Sequence, residues 1–187
     1  MKNYIYSFLS VACLAVSGSA FCHTLDLNLN DDAVAVDYTT QIKKSELNVG
    51  AGLLHNQDLG DVYYGSFFVA DNVNKQSGLL AGIGGRAYYM DVDRSDESGT
   101  AIGLGGFLNW DLPNVTNLSL RSDIYYAPDV LAFDEIEGYL DFSARVQYRI
   151  IEQAWIYLGY RNAEAKTEAP GKAKIDEGGH VGIMLWF

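Results

Sequence analysis

Residues 179–187, with the sequence GHVGIMLWF, decide the fold. Successive side chains of a β-strand point to opposite faces of the strand. Counted back from Phe187, the side chains of Leu185, Ile183 and Val181 therefore share one face, and that face is wholly apolar. The stretch predicts that the chain ends in a β-strand with an apolar face.

The first twenty residues have the pattern of a secretory signal peptide. Lys2 is their one charged residue, residues 5–16 are apolar, and small residues end the segment at Ala20. We predict a signal peptide over residues 1–20, with residue 22 as the alternative end. The apolar run is shorter than the roughly 20 residues that a membrane-spanning helix needs. No later stretch is apolar over that length, so we expect no transmembrane helix after the signal peptide.

Composition limits the classes of partner. Without Lys2 the chain has 12 basic and 24 acidic side chains, a formal net charge of −12. This balance argues against nucleic acid as a partner and against electrostatic docking to an anionic membrane surface. Cys13 falls within the predicted signal peptide, so Cys22 is left without a partner for an internal disulfide. Residues 21–187 show no linker and are expected to form a single domain.

Nearly all of residues 21–187 reads as short β-strands separated by polar turns. Most of these stretches have the roughly 9 to 11 residues that a tilted membrane strand requires. Pro113, Pro128 and Pro170 all fall between strands, where a missing backbone N–H costs no ladder hydrogen bond. The predicted strands are residues 24–29, 33–41, 46–55, 62–72, 77–91, 99–111, 115–127, 136–150, 154–165 and 175–187.

Residues 136–150 show the alternation most clearly. One face of this strand carries no charge, whereas the other carries acids and arginines. A soluble sandwich could turn such a face to water, but the same pattern returns in residues 118–126 and 156–161. We therefore predict an all-β fold, namely a closed antiparallel transmembrane β-barrel of about ten strands. The first strand is short, and the number falls to eight if it pairs elsewhere.

The charged faces are expected to meet inside this barrel. A barrel of about this size has an interior just wide enough for side chains to fill, and buried charges persist when they are paired and hydrogen-bonded. We predict a polar filled lumen of arginine–carboxylate pairs, and we favour a structural role of these pairs over a substrate path. The candidates are Asp37, Arg86, Asp111, Arg121, Asp123, Asp141, Arg145, Arg149 and Arg161, with His180 also facing inward.

Glycines, aromatic residues and connection lengths support closure in a membrane. Inward-facing glycines such as Gly52 and Gly82 are expected to make room for large side chains of neighbouring strands. Aromatic residues near strand ends, for example Tyr63 and Trp110, match the girdles of membrane barrels. Connections on the side of the C-terminus are short and most of the others are longer, which is typical of periplasmic turns and outer loops.

The terminal strand is similar to that of outer-membrane β-barrels, in which the assembly machinery reads this strand and its last Phe. The resemblance implies that the barrel assembly machinery is a partner of the chain. The assembly signal would then consist of Val181, Ile183, Leu185 and Phe187.

Four stretches resemble the YfaZ family of predicted outer-membrane proteins. They are residues 25–38 (LDLNLNDDAVAVDY), 103–113 (GLGGFLNWDLP), 125–133 (YYAPDVLAF) and 159–161 (GYR). The resemblance covers most of the chain after the signal peptide. It implies an outer-membrane location and a small barrel, and it brings neither an established activity nor catalytic residues.

The sequence carries no motif for catalysis or for metal binding. A nucleophile–base pair would need His23, His55 or His180 beside a serine and an orienting acid, and none of them stands in such a motif. Cys and His at metal-ligand spacing are absent, as are phosphate-binding motifs. We therefore predict a protein that is not an enzyme and has no cofactor. The weak candidates for cation ligands are the loop acids Asp91, Asp93 and Asp96.

The expected function is that of an integral outer-membrane barrel, in contact with outer-membrane lipids, with a structural or surface-interaction role. The first alternative is a narrow porin-like channel for passive diffusion of small solutes. The second alternative is a soluble periplasmic barrel that binds a small ligand in its lumen. Apolar outward positions such as Leu140, Phe142 and Val146 argue against the soluble barrel.

Overall fold

The structure is a computed structural model that describes residues 23–43, 45–74, 78–92, 97–167 and 172–187. The predicted signal peptide and the loop acids Asp93 and Asp96 lie outside the described residues. Within those ranges, no helix is long and apolar enough to cross a membrane.

The described residues form eleven strands and one short 3₁₀ turn, Asp129–Leu131. In chain order the strands are β1 (His23–Leu29), β2 (Ala33–Gln41), β3 (Leu47–Asn56), β4 (Gly60–Asn74), β5 (Leu79–Val92), β6 (Glu97–Asp111), β7 (Leu118–Ala127), β8 (Ala132–Asp134), β9 (Ile136–Ile151), β10 (Ala154–Thr167) and β11 (Lys172–Trp186).

Ten of these strands close into an antiparallel barrel. From β1 to β7 each strand pairs with the next, β7 pairs with β9, and β9, β10 and β11 follow in order. The ring closes between β11 and β1, where Leu25 lies opposite Leu185. The backbones of His23 and Phe187 exchange two hydrogen bonds of 2.8 and 2.9 Å at this seam. The prediction of an all-β fold with a closed antiparallel barrel of about ten strands is confirmed, in preference to the alternative of eight strands.

Strand β8 lies outside the ring and was not predicted. It pairs only with β6, through Gly99 to Ala101, beyond the point where β7 ends. The interruption begins at Pro128, whose carbonyl accepts a 2.8 Å hydrogen bond from the backbone N–H of Leu131 in the 3₁₀ turn. A three-residue strand after such a turn is too short to leave an alternating pattern in the sequence.

Alternation divides the side chains between an apolar exterior and a filled interior. Ile83, Leu104 and Leu158 on the exterior are 70%, 58% and 64% exposed. On the interior, a Cβ atom at Gly52 would overlap the ring of Tyr64, and one at Gly82 would overlap the ring of Phe107. The inward glycines thus make room for aromatic rings of neighbouring strands.

The interior changes character along the barrel axis. The polar lumen occupies the middle, whereas the half on the side of the longer loops is filled by a cluster that we call the apolar plug. These side chains point inward near the loop ends of their strands and are at most 3% exposed. The apolar plug comprises Val62, Met90, Val92, Ala127, Tyr139, Ala163, Ala165 and Ile175. The described side chains of the apolar plug thus fill the interior on the loop side.

Candidate functional site

Four arginine–aspartate pairs fill the middle of the lumen. Each side chain is at most 22% exposed, so water screens the pairs only weakly. The pairs, with their shortest N···O distances, are Arg86 with Asp141 (2.6 Å), Arg121 with Asp123 (2.8 Å), Arg145 with Asp26 (2.5 Å) and Arg161 with Asp176 (3.3 Å).

Arg86 joins strands that are not neighbours in the sheet. It reaches from β5 to Asp141 on β9, and Tyr88 donates a 3.2 Å hydrogen bond to the same carboxylate. The guanidinium carbon lies 4.0 Å from the ring centroid of Tyr125 and 4.7 Å from that of Tyr64. Cation–π contacts of this kind become stronger when the cation is removed from water. The guanidinium group therefore ties two walls of the barrel together.

Arg145 spans the lumen in a second direction. It reaches from β9 to Asp26 on β1, and it lies 4.3 Å from the ring centroid of Tyr157. The hydroxyl of Tyr157 donates to the other oxygen of Asp26. Each oxygen of this buried carboxylate thus accepts a hydrogen bond, which buried charges require.

Arg161 and Arg121 complete the network of pairs. Arg161 also donates to the side-chain oxygen of Asn28, while Asn30 donates a 2.7 Å hydrogen bond to Asp176. Arg121 contacts Asp123, two residues further along β7, through two hydrogen bonds of 3.0 and 2.8 Å. Such two-pronged contacts fix both distance and orientation.

Three predicted lumen residues stand apart from these pairs. Asp37 faces the lumen and accepts a hydrogen bond from the hydroxyl of Tyr64, and no arginine of the described chain forms an ion pair with it. Asp111 and Arg149 are exposed, and their hydrogen-bond partners are Asn109 and Asn117. The prediction placed both in the lumen, but they lie at its rim. Neither forms an ion pair with another described residue. Asp111 ends β6 and Arg149 lies two residues before the end of β9, and this lifts both out of the lumen.

Two of the four paired carboxylates, Asp26 and Asp176, were not among the predicted lumen residues. Asp26 lies between the outward-facing residues Leu25 and Leu27, so the alternation of the first strand already placed it inside. Asp176 lies four residues before His180 on the final strand. The two side chains therefore have the same parity, and His180 was predicted to face inward. Strict alternation along these two strands would have found both acids.

A cavity of about 440 Å³ opens at the end of the barrel that carries His23 and Phe187. We call it the terminal vestibule, and its lining includes Asn109, Gln147, Trp155 and Trp186. A second cavity of about 160 Å³ lies among the ion pairs and shares Thr24, Arg121 and Met184 with the terminal vestibule. In the described chain the two cavities therefore adjoin each other, and the smaller one also borders on Val62 and Tyr139 of the apolar plug.

The three histidines lie in different surroundings. His180 is buried against the ring of Tyr157 at a centroid distance of 5.8 Å. His55 lies on the exterior with its Nδ1 atom 2.5 Å from Asp61, and His23 lies 2.6 Å from the hydroxyl of Tyr38.

The loop acid Asp91 is the one weak cation-ligand candidate that the structure describes. It is exposed at the end of β5, opposite Asp61 and Ser98. No group of three His, Cys, Asp or Glu residues within the described ranges could hold a metal ion.

Two exposed lysine–glutamate pairs lie at the loop ends of the strands. Lys166 contacts Glu137 at 2.5 Å, and Lys174 contacts Glu177. The hydrogen bonds to these glutamates raise the pKa of Lys166 and of Lys174. Exposed pairs contribute little to stability, so we assign them no part in holding the barrel closed.

The terminal strand presents the predicted assembly residues to the exterior. Val181 and Ile183 are exposed, and Leu185 is partly exposed. Phe187 is 51% exposed, and its ring centroid lies 5.7 Å from that of His23. The apolar face of residues 179–187 therefore continues the apolar exterior of the barrel.

The model of a family described as YfaZ precursor matches residues 3–187. No curated protein matches the chain.

Proposed function

Because the chain belongs to the YfaZ family, and because the barrel of this member has an apolar exterior, we propose that it is an integral outer-membrane protein. It is exported through a cleaved signal peptide and inserted by the barrel assembly machinery. Its role is structural or lies in surface interaction, and it is not an enzyme.

The apolar exterior carries this proposal. Soluble monomers rarely expose contiguous apolar patches larger than a few hundred Å², yet large apolar side chains here follow one another around the ring. Ile83 on β5, Leu104 on β6, Ile124 on β7 and Leu158 on β10 are each more than half exposed. A membrane barrel needs such a band against lipid. The same band disfavours the soluble periplasmic barrel.

The first test is cell fractionation of the natural protein. We expect it to sediment with outer membranes and to stay there during extraction with alkaline carbonate, because only detergent replaces lipid around the apolar band. A periplasmic binding protein expressed in the same cells serves as the soluble control. Release of the barrel together with that control would contradict the membrane location and favour the soluble alternative.

The apolar plug favours a sealed barrel over the porin-like channel. An ion or a sugar that entered from the terminal vestibule would meet Met90, Val92 and Ile175, which are all wholly buried. These side chains offer no hydrogen bond that could replace lost water. The proposed role therefore falls to the outer loops and the lipid-facing wall.

We expect the refolded barrel to give no stable conductance steps in a planar lipid bilayer. Insertion is verified by the shift in gel mobility on heating, and a general porin in the same setup shows that the assay detects a pore. Steady steps from inserted protein would contradict the seal. They would make the narrow channel the leading function.

A further inference from the structure

The terminal vestibule combines aromatic walls with a polar floor. Trp155 on β10 lies opposite Met184 on β11, so Trp186 is its diagonal neighbour, and both line the cavity. Diagonal neighbours on one face of a sheet are close enough for large side chains to share a contact surface. The two indoles thus line the vestibule from adjacent strands.

The floor offers hydrogen-bonding groups of both kinds. Gln147 donates a 2.6 Å hydrogen bond to Asn109 and a 3.2 Å hydrogen bond to Ser119, and all three side chains line the vestibule. These contacts hold the side chains in fixed orientations. A ligand with hydroxyl groups, which both donate and accept, matches such a floor.

Charge gives the vestibule no preference for anions or cations. Arg121 at the inner end is paired with Asp123, and the rim carries one acid, Asp111, and one base, Arg149. A strongly charged ligand would meet both signs. The side-chain oxygen of Gln147 has no hydrogen-bond partner among the described residues, and a purely apolar ligand would leave it without one, which is unfavourable.

From this combination we infer that the terminal vestibule binds a neutral saccharide. Saccharides without acidic or amino groups are uncharged, carry many hydroxyl groups and present apolar C–H faces that stack on indole rings. The volume of about 440 Å³ lies in the range of small-molecule pockets, which combine mostly apolar walls with a few fixed polar groups. The vestibule opens at the end of the barrel that carries His23 and Phe187, so the sugar enters and leaves there. This inference does not depend on a membrane location.

The positions of the three tryptophans provide a matched test. Trp110 faces the exterior, so a Trp110→Phe protein in detergent micelles reports fluorescence from Trp155 and Trp186 alone. The probes are maltose and the disaccharide of N-acetylglucosamine. We expect at least one of them to cause a saturable change in fluorescence. Equilibrium dialysis with the labelled probe should give the same affinity for the wild type and for Trp110→Phe.

Replacement of one of these two tryptophans should weaken saccharide binding while the barrel stays folded. In Trp155→Leu and in Trp186→Leu, dialysis should show affinity lower by about two- to tenfold, as expected for one aromatic contact. The shift in gel mobility on heating verifies that each variant is folded.

Three results would overturn the inference. They are the absence of saturable binding for both probes, unchanged affinity in both indole variants, and tighter binding of gluconate or glucosamine than of the neutral probes.

Discussion

Replacement of Arg145 by leucine is expected to lower the free energy of unfolding by about 3–5 kcal/mol, the usual cost of removing one partner from a buried ion pair. The substitution leaves the carboxylate of Asp26 in the lumen with the hydroxyl of Tyr157 as its remaining hydrogen-bond donor among the described contacts. Arg145 and Asp26 are each only 10% exposed, so water can replace the lost guanidinium group only in part. The measurement is the urea midpoint of the refolded protein in lipid vesicles.

Arg149→Leu is the matched control for this prediction. Arg149 lies on the same strand and the same face, four residues further along, but it is exposed and donates to the neutral side chain of Asn117. We expect the urea midpoint of this variant to stay close to that of the wild type. Equal losses in the two variants would mean that the lumen pairs contribute no more than exposed arginines do.

A double substitution separates the effect of the unpaired charge of Asp26 from the effect of losing the packed side chain of Arg145. Asp26→Asn combined with Arg145→Leu removes the unpaired charge and keeps much of the volume. We expect it to recover a large part of the stability lost in Arg145→Leu, because buried pairs are costly to break but cheaper to replace as a whole. No recovery would point to packing of Arg145 on Tyr157 as the main contribution.

Deletion of Phe187 is expected to lower the amount of folded barrel in the outer membrane several-fold. The residue supplies the last two hydrogen bonds of the seam between β1 and β11, and its exposed ring completes the apolar face of the terminal strand. The two hydrogen bonds account for only about 1–3 kcal/mol of stability. The larger part of the expected loss lies in recognition by the assembly machinery. The measurement is the heat-shifted band in the outer-membrane fraction.

Two comparisons separate recognition from stability. Phe133→Ala changes a phenylalanine of similar exposure, 49%, that lies on β8 rather than on the terminal strand, and it should assemble normally. Refolding into detergent needs no machinery, so the protein without Phe187 should refold there almost as well as the wild type. A normal amount of the truncated protein in cells would show that Phe187 is not part of the assembly signal.

Local alternation along the chain predicts most of the fold. The strands predicted at residues 33–41 and 154–165 correspond to β2 and to most of β10, and ten predicted strands match the ten of the ring. Each strand has one face toward the apolar surroundings and one toward the interior, so a period of two in the sequence is enough to place it. The strand predicted to start at residue 115 corresponds to β7, which starts at Leu118. The predicted start was too early, because residues 112–118 form a hydrogen-bonded turn.

The sequence by itself determined most of the side chains that enter the barrel, because within a regular strand the direction of a side chain follows its parity. A β-bulge breaks this rule at Ile175 and Asp176, which are adjacent and both buried. Only the tertiary structure decided which of the inward side chains meet. Arg86 and Asp141 lie on strands separated by two others, and their contact depends on the tilt and stagger of the closed ring. The same closure gathers Met90, Ala163 and Ile175 into the apolar plug and leaves Asp111 and Arg149 at the rim. These positions depend on height along the barrel axis, which pairing across the whole sheet sets and no single strand encodes.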